Sequence, residues 1–197
     1  MAPSTPPEDE RYVLESQLRE CYGRCAYSHK THEKMAERHA TWLLRFKWLQ
    51  IILAALTTAG AVGVLFDRTS VFFPYATALL SILLLIANSY MKDLDPGQTA
   101  QKHCEAASDI WNIREAYLSL LADIRDRAFP VADLRTRRDE LQSQLHKIYR
   151  AAPQTDDKAY SKAQDALKNK EDLTFSDAEI DTLLPGPLKR NRLSAAD

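Results

Sequence analysis

Cysteine and glycine are both scarce in this chain of 197 residues, and each scarcity narrows the class of protein. The three cysteines (Cys21, Cys25 and Cys104) are too few, and odd in number, for a disulfide framework, which favours reduced thiols facing the cytosol. The five glycines are typical of a mostly helical chain. A signal-peptide pattern is also missing, because fifteen charged residues precede the first long apolar run.

Motifs for catalysis are missing as well. The sequence has no glycine-rich phosphate loop, no G-x-S-x-G motif and no pair of carboxylates in a recognisable catalytic context. A net charge of −1 gives no general reason to expect nucleic-acid binding. We therefore predict a protein that is not an enzyme, uses no cofactor and does not bind nucleic acid directly.

What the sequence does contain is two uncharged runs of helix length. Residues 48–66 and 71–91 hold nineteen and twenty-one residues without a charge, and only residues 67–70 separate them. A helix needs about 20 apolar residues to cross the ~30 Å hydrocarbon core of a bilayer. The mean hydropathy of the whole chain, −0.37, conceals these runs because the remainder is so polar. The pattern predicts a transmembrane hairpin; a buried hairpin in a soluble helical bundle is the alternative.

The distribution of positive charge predicts the orientation of this hairpin. Lysine and arginine residues closely flank the outer ends of both runs, whereas the turn between them holds only Arg68. The flanking residues are Lys30, Lys34, Arg38, Arg45, Lys47, Lys92 and Lys102. By the positive-inside rule both termini lie in the cytosol, and residues 67–70 form an extracytoplasmic turn.

Polar and small side chains inside the spans are candidates for helix association or conduction. When the hairpin is folded at Thr69, Gln50 lies level with Asn88, and Thr57 lies level with Ser81. Such residues either bond each other between the helices or line a conduit formed by several copies, since two spans cannot enclose a pore. Three small residues at four-residue spacing predict a helix-packing face: Ala55, Ala59 and Gly63.

Outside the spans the sequence predicts an all-α helical bundle. Residues 11–47 form a stalk helix, because apolar or small residues recur about every 3.5 positions, as in a coiled coil. The middle of this seam is polar at Ser28, His32 and His39, which we interpret as a gate whose weak packing a signal could shift. Cytosolic helices are predicted within residues 98–185, a flexible tail over 186–197 and disorder over 1–10.

Two clusters in the cytosolic part are candidate ligand sites. Four potential metal ligands follow one helical face: Cys21, Cys25, His29 and His32. Strung along a straight helix they span ~16 Å, too far for one ion. A site would need ligands from two helices, with His103 and Cys104 as the further candidates if the helices before and after the spans pack antiparallel. We favour a partly polar packing seam and predict no metal site. Three arginines form a basic patch: Arg135, Arg137 and Arg138. Such a patch is either a solvated surface or a site for lipid headgroups or an anionic nucleotide.

The order of these elements resembles a known family. "YGRCAYSHKTHEKMAERH" precedes the two spans, and "AASDIWNIREAYLSLLAD", "IYRAAPQTDDKAYSKAQDAL" and "TFSDAEIDTLLP" follow them. Together these segments resemble the SLATT family of two-span effector domains, here as a single domain over residues 11–197. The features that carry the resemblance are Tyr27, His32, Glu33, Trp111, Tyr117, Phe175, Glu179, Leu184 and Pro185.

The resemblance implies a pore-forming effector of bacterial antiviral defence. Proteins of this family are encoded near nucleotide second-messenger synthases, SLOG-type sensors or reverse transcriptases, and have no catalytic residues to transfer. Such a protein would form a homo-oligomer in the inner membrane and permeabilise it when a nucleotide messenger, or a separately encoded sensor, nucleotidyltransferase or reverse transcriptase, activates it. A non-conducting scaffold that recruits a cytosolic partner enzyme is the alternative.

Overall fold

The computed structural model describes residues 7–67 and 69–190, and all regular structure in these ranges is helical. The helices are α1 (Pro7–Phe66), α2 (Phe72–Leu94), α3 (Pro96–Arg125), α4 (Val131–Ala151), α5 (Asp157–Asn169) and α6 (Asp177–Leu183), followed by a 3-10 turn at Gly186–Leu188. The predicted all-α architecture, with a hairpin of two apolar helices and further helices packed as a bundle, is confirmed.

A single helix, α1, forms both the stalk and the first span. It runs for 60 residues without a break, about 90 Å at 1.5 Å per residue. Glu8, Asp9 and Glu10 occupy its first turn, where negative charge is favourable for the helix dipole. The polar seam and the uncharged run therefore belong to one continuous rod.

Short polar connections reverse the chain at both ends of α2. After α1, the Asp67 carboxylate accepts hydrogen bonds from the backbone N–H groups of Thr69 and Ser70, both at 3.1 Å. After α2, Asp95 adopts a left-handed conformation with φ 32°, and its carboxylate caps α3 by accepting from the Gln98 N–H at 3.0 Å. Pro96 occupies the first turn of α3, so this helix begins two residues earlier than the predicted residue 98.

The hydrophobic core lies in the helical layer outside the spans. Nine buried residues from α1, α3 and α4 form it: Leu14, Leu18, Cys25, Ile110, Ile113, Tyr117, Leu120, Ile124 and Leu134. α5 packs on α1 through a buried alanine face, Ala159, Ala163 and Ala166. Ion pairs fix both ends of this contact, Arg38 to Asp156 at 2.7 Å and Lys30 to Asp172 at 2.8 Å. The stalk is thus the central element against which three other helices pack.

The two spans have the opposite character, because their apolar side chains face outward. Exposed residues include Leu49, Ile51, Ile52, Leu56, Leu79, Ile82, Leu85 and Ile86. Both helices are long and apolar enough to cross a membrane, and at most 6% of their most apolar segments is buried within the chain. A water-soluble bundle would bury such surfaces against its own core, whereas lipid covers them without cost.

Both chain ends are more ordered than the sequence predicts, as far as they are described. Residues 7–10, predicted to be disordered, are helical, and Glu8 and Glu10 pair with Arg127 at 2.6 Å and with Arg135 at 3.2 Å. Within the predicted flexible tail, Arg190 donates from its backbone to Asp181 at 3.0 Å and from its guanidinium to Asp177. Residues 1–6 and 191–197, parts of the same two predictions, lie outside the described residues.

Glycine at position 60 should be essential to the hairpin. A Cβ atom there would lie 2.4 Å from the Thr77 hydroxyl and 3.6 Å from its Cβ, so a branched side chain both displaces this hydroxyl and presses on α2. We expect Gly60→Val to lower the free energy of unfolding by about 1–3 kcal/mol. Unfolding by SDS in mixed micelles, followed by circular dichroism, measures this change. Ala61→Val, at an exposed neighbouring position, is the control; equal losses in both variants would contradict close packing at Gly60.

Candidate functional site: the membrane hairpin and the polar seam above it

The predicted polar layer of the spans divides into one bonded pair and one unbonded pair. Gln50 Nε2 donates to Asn88 Oδ1 at 2.7 Å, across the hairpin. Thr57 and Ser81 do not bond each other, because their hydroxyls donate to carbonyls one turn earlier in their own helices, those of Leu53 and Thr77. Among the described residues of the hairpin there is therefore one interhelical polar bond, close to the end that joins the helical layer.

Only one residue of the predicted small-residue face, Gly63, lies in the contact between α1 and α2. Gly63 lies in the hairpin, where an added Cβ would meet the Phe73 ring at 2.6 Å, whereas Ala55 and Ala59 are exposed. Spacing by four residues drifts about 40° per step around a helix of 3.6 residues per turn, so three such residues do not share one contact line. Gly60, which approaches Thr77, completes the contact surface and is missing from the sequence-based set.

Above the membrane, three histidines join the stalk to α3. His32 and His103 bring their Nδ1 atoms to 2.9 Å, and the His39 ring stacks on His103 at 5.7 Å between centroids. His32 and His103 are buried, so a single proton lies between the two Nδ1 atoms, one nitrogen donating and the other accepting. Two of the three predicted gate residues thus meet His103 of α3, which the sequence offers as a possible metal ligand and not as part of the gate.

Burial keeps this histidine cluster neutral. Desolvation, with the neighbouring rings and Arg38 as smaller causes, lowers the pKa of His103 to about 4. Desolvation likewise lowers the pKa of His32 and of His39. Asp156 acts in the opposite direction on His103 and on His39, but more weakly. A proton added here would place a charge between two packed helices.

The third predicted gate residue, Ser28, faces a different helix. Its hydroxyl accepts a hydrogen bond from Tyr149 of α4 at 2.9 Å. Ser28 and Tyr149 line a cavity of about 450 Å³ together with Tyr27 and Tyr160, whose rings stack at 5.8 Å. The gate seam therefore has an α3 side with the histidines and an α4–α5 side with hydroxyl groups and aromatic rings.

The other two predicted ligand clusters are dispersed or already paired. In the described ranges no group of three or more His, Cys, Asp or Glu side chains is placed to hold a metal ion; His29, for example, uses Nδ1 on the Ala107 carbonyl at 2.9 Å. The arginine patch is engaged within the chain. Its contacts are Arg135 to Glu10, Arg137 to Asp123 and the Phe129 ring, and Arg138 to Asp139 and Gln17. These arginines fasten α4 to its neighbours.

Acid should loosen the contact between α1 and α3. Between the unfolded pKa of about 6.5 and the folded value near 4, the folded state binds fewer protons at His103 than the unfolded chain does. The free energy of unfolding therefore falls as the pH drops through this window, by up to about 3 kcal/mol from this residue. We expect His103→Leu to remove most of that loss.

Urea unfolding of the detergent-solubilised protein at about pH 7 and about pH 4.5 measures this dependence. A control is needed because acid also titrates carboxylates elsewhere in the protein. His146→Leu, at an exposed position of α4 outside the cluster, should keep the full pH dependence of the wild type. An unchanged pH dependence in His103→Leu would show that the histidine cluster does not sense acid.

Comparison with known proteins agrees with this architecture. Residues 14–179, which include both spans and helices α3–α5, match a family model described as "SMODS and SLOG-associating 2TM effector domain family 4". No curated protein and no solved structure gives a significant match. The resemblance carried by the sequence motifs is thereby confirmed. This chain of two membrane-spanning helices and a helical layer belongs to the SMODS and SLOG-associating 2TM effector domain family 4, one of the SLATT families.

Proposed function

We propose that this protein is an oligomeric, pore-forming effector of a bacterial defence system, which permeabilises the inner membrane on activation. The family description supports the coarser part, a two-span effector domain associated with SMODS and SLOG systems. Pore formation, the oligomer and the inner-membrane location are our proposals. A nucleotide second messenger, or a separately encoded sensor, nucleotidyltransferase or reverse transcriptase, would supply the signal.

The observation that carries the proposal is a polar line left exposed on the hairpin. Ser81 and Asn88 are seven residues apart, so they lie on nearly the same face of α2, and both are exposed in the single chain. Gln50 donates to the amide oxygen of Asn88, and the NH2 group of Asn88 has no partner in the described chain. Polar groups in lipid need partners or water, which several copies around a wet conduit would provide.

Further copies would also have a surface on which to assemble. Ala55 and Ala59 are exposed, and small residues at this spacing let a second helix approach closely. Two antiparallel spans place both termini on one side, and the charge distribution favours the cytosol for that side. The exposed side of the hairpin thus combines a small-residue face and a polar line, as expected for a subunit of a larger assembly.

The helix connections suggest how a signal reaches the spans. α1 is continuous from the histidine cluster into the membrane, and α3 joins α2 through the single residue Asp95. A shift of α3 against α1 at His32 and His103 would therefore change the relation of the two spans directly. Because this seam is polar, its packing is weaker than that of a leucine-filled seam, and a ligand or partner could bias it.

Removing the polar pair should separate conduction from assembly. We expect Gln50→Leu with Asn88→Leu to keep the oligomer but to lower the rate of dye release from liposomes at least tenfold, since an apolar ring is dewetted. Thr58→Val is the control, because this exposed hydroxyl is bonded within its own helix to Ala54. Release by the double variant equal to that by the wild type would contradict a wet layer at Gln50 and Asn88.

A groove favours the scaffold as the second candidate function. Between α1 and α3, a cavity of about 650 Å³ is lined mainly by small residues and by Trp111, which is 47% exposed, with Glu33 and Glu37 among its polar lining residues. An apolar helix of a partner enzyme would fit against these small side chains. A scaffold would retain function in the double leucine variant and would lose it when this groove is filled, for example by Ala100→Trp.

A further inference from the structure

A cationic cavity lies between α1 and α5, away from the predicted arginine patch. It has a volume of about 470 Å³, and four of its lining side chains are cations whereas one is a carboxylate, Glu37. The cations are Lys34, Arg38, Arg45 and Lys162. Such an excess of positive charge in one concave site raises the local concentration of anions.

Two of these cations are already paired and two are not. Lys34 pairs with Glu37 at 3.0 Å, and Arg38 pairs with Asp156 at 2.7 Å, which fixes the walls of the cavity. Arg45 and Lys162 are exposed and have no ion pair in the described part of the chain. The arginines at positions 135, 137 and 138 are all paired, whereas this cavity brings two unpaired cations together beside two paired ones.

The cavity lies next to the membrane surface. Arg45 precedes the uncharged run by three residues, about 4.5 Å along α1, which places it at headgroup depth. Trp42 also lines the cavity and packs edge-on against Tyr90 near the end of the second span, as aromatic residues do at a membrane interface. The lower wall of the cavity is therefore within reach of lipid headgroups.

One of the three lysines of α5, Lys162, is directed toward this surface. Tyr160 stacks on Tyr27, far up the stalk, whereas Lys162 shares the cavity with Arg45. Two residues apart on a helix, these side chains point about 200° from each other. Because Tyr160 faces away from the membrane, Lys162 faces it.

We propose that this cavity binds the phosphate group of an anionic phospholipid from the adjacent leaflet. Arg45 and Lys162 bind the phosphate, and Arg38 and Lys34 extend the positive surface toward the outer part of the headgroup. Basic pockets at the cytosolic ends of transmembrane helices hold anionic headgroups in this way. The inference depends on the two spans crossing a membrane, and does not depend on pore formation.

The test uses the full-length protein in neutral detergent, titrated with phosphatidylglycerol or with phosphatidylcholine of the same acyl chains. Native mass spectrometry counts the lipids retained by each chain. We expect phosphatidylglycerol to be retained in preference to phosphatidylcholine, and Arg45→Gln with Lys162→Gln to weaken its binding about thirtyfold, since each cation near an anionic headgroup contributes about fivefold. Arg135→Gln with Arg137→Gln removes the same charge from the paired patch and should change the binding less than about threefold.

A charge-conserving variant separates recognition from folding. Arg45→Lys with Lys162→Arg should retain phosphatidylglycerol nearly as well as the wild type. The proposal is overturned if this variant binds no better than the glutamine pair, or if the glutamine pair binds as the wild type does. It is also overturned if inorganic phosphate binds in an Arg45-dependent manner while phosphatidylglycerol and phosphatidylcholine are retained equally, since the site would then serve a soluble phosphate ligand. Dye release tests the pore separately, so a failure here leaves that proposal standing.

Discussion

One continuous helix determines most of this structure. α1 extends from water into lipid without a break. Its first part therefore has polar side chains on its exposed surface, and its last part has apolar ones. In its first part it buries leucine, cysteine and histidine side chains against α3, α4 and α5, and in its last part it exposes leucine and isoleucine. The helices α2, α3, α4 and α5 all pack on α1. This one helix therefore connects the hairpin to the helical layer.

Polar side chains find different hydrogen-bond partners in the helical layer and in the spans. In the helical layer, several buried polar side chains meet partners from distant segments, such as His32 with His103 or Lys30 with Asp172. In the spans, hydroxyls of Thr57, Thr58 and Ser81 bond to their own helix, and among the described side chains one amide pair links the two helices. Hairpin association therefore depends mainly on close packing at glycine, which is the usual solution where lipid provides no hydrophobic drive.

The local features of the fold could be predicted from the sequence with good precision. The capping box at Ser176 and Glu179 forms as its spacing indicates, since both groups lie within one turn. That Gln50 and Asn88 lie at the same depth in the hairpin follows from counting residues on either side of a tight turn. The site was harder to predict. The arginine patch appears free in a linear sequence, whereas its partners Glu10 and Asp123 come from other helices.

The sequence by itself determined the two long apolar helices, the helical class and the family, because each depends on runs or short motifs that are visible within a few residues. Tertiary structure alone decided which charges remain uncompensated and which polar residues meet. His103 lies 71 residues from His32, and Lys162 lies 117 residues from Arg45, so no local pattern joins them. Only the packing of α3 and α5 on α1 brings these side chains together, so the buried histidine cluster and the cationic cavity exist only in the folded chain.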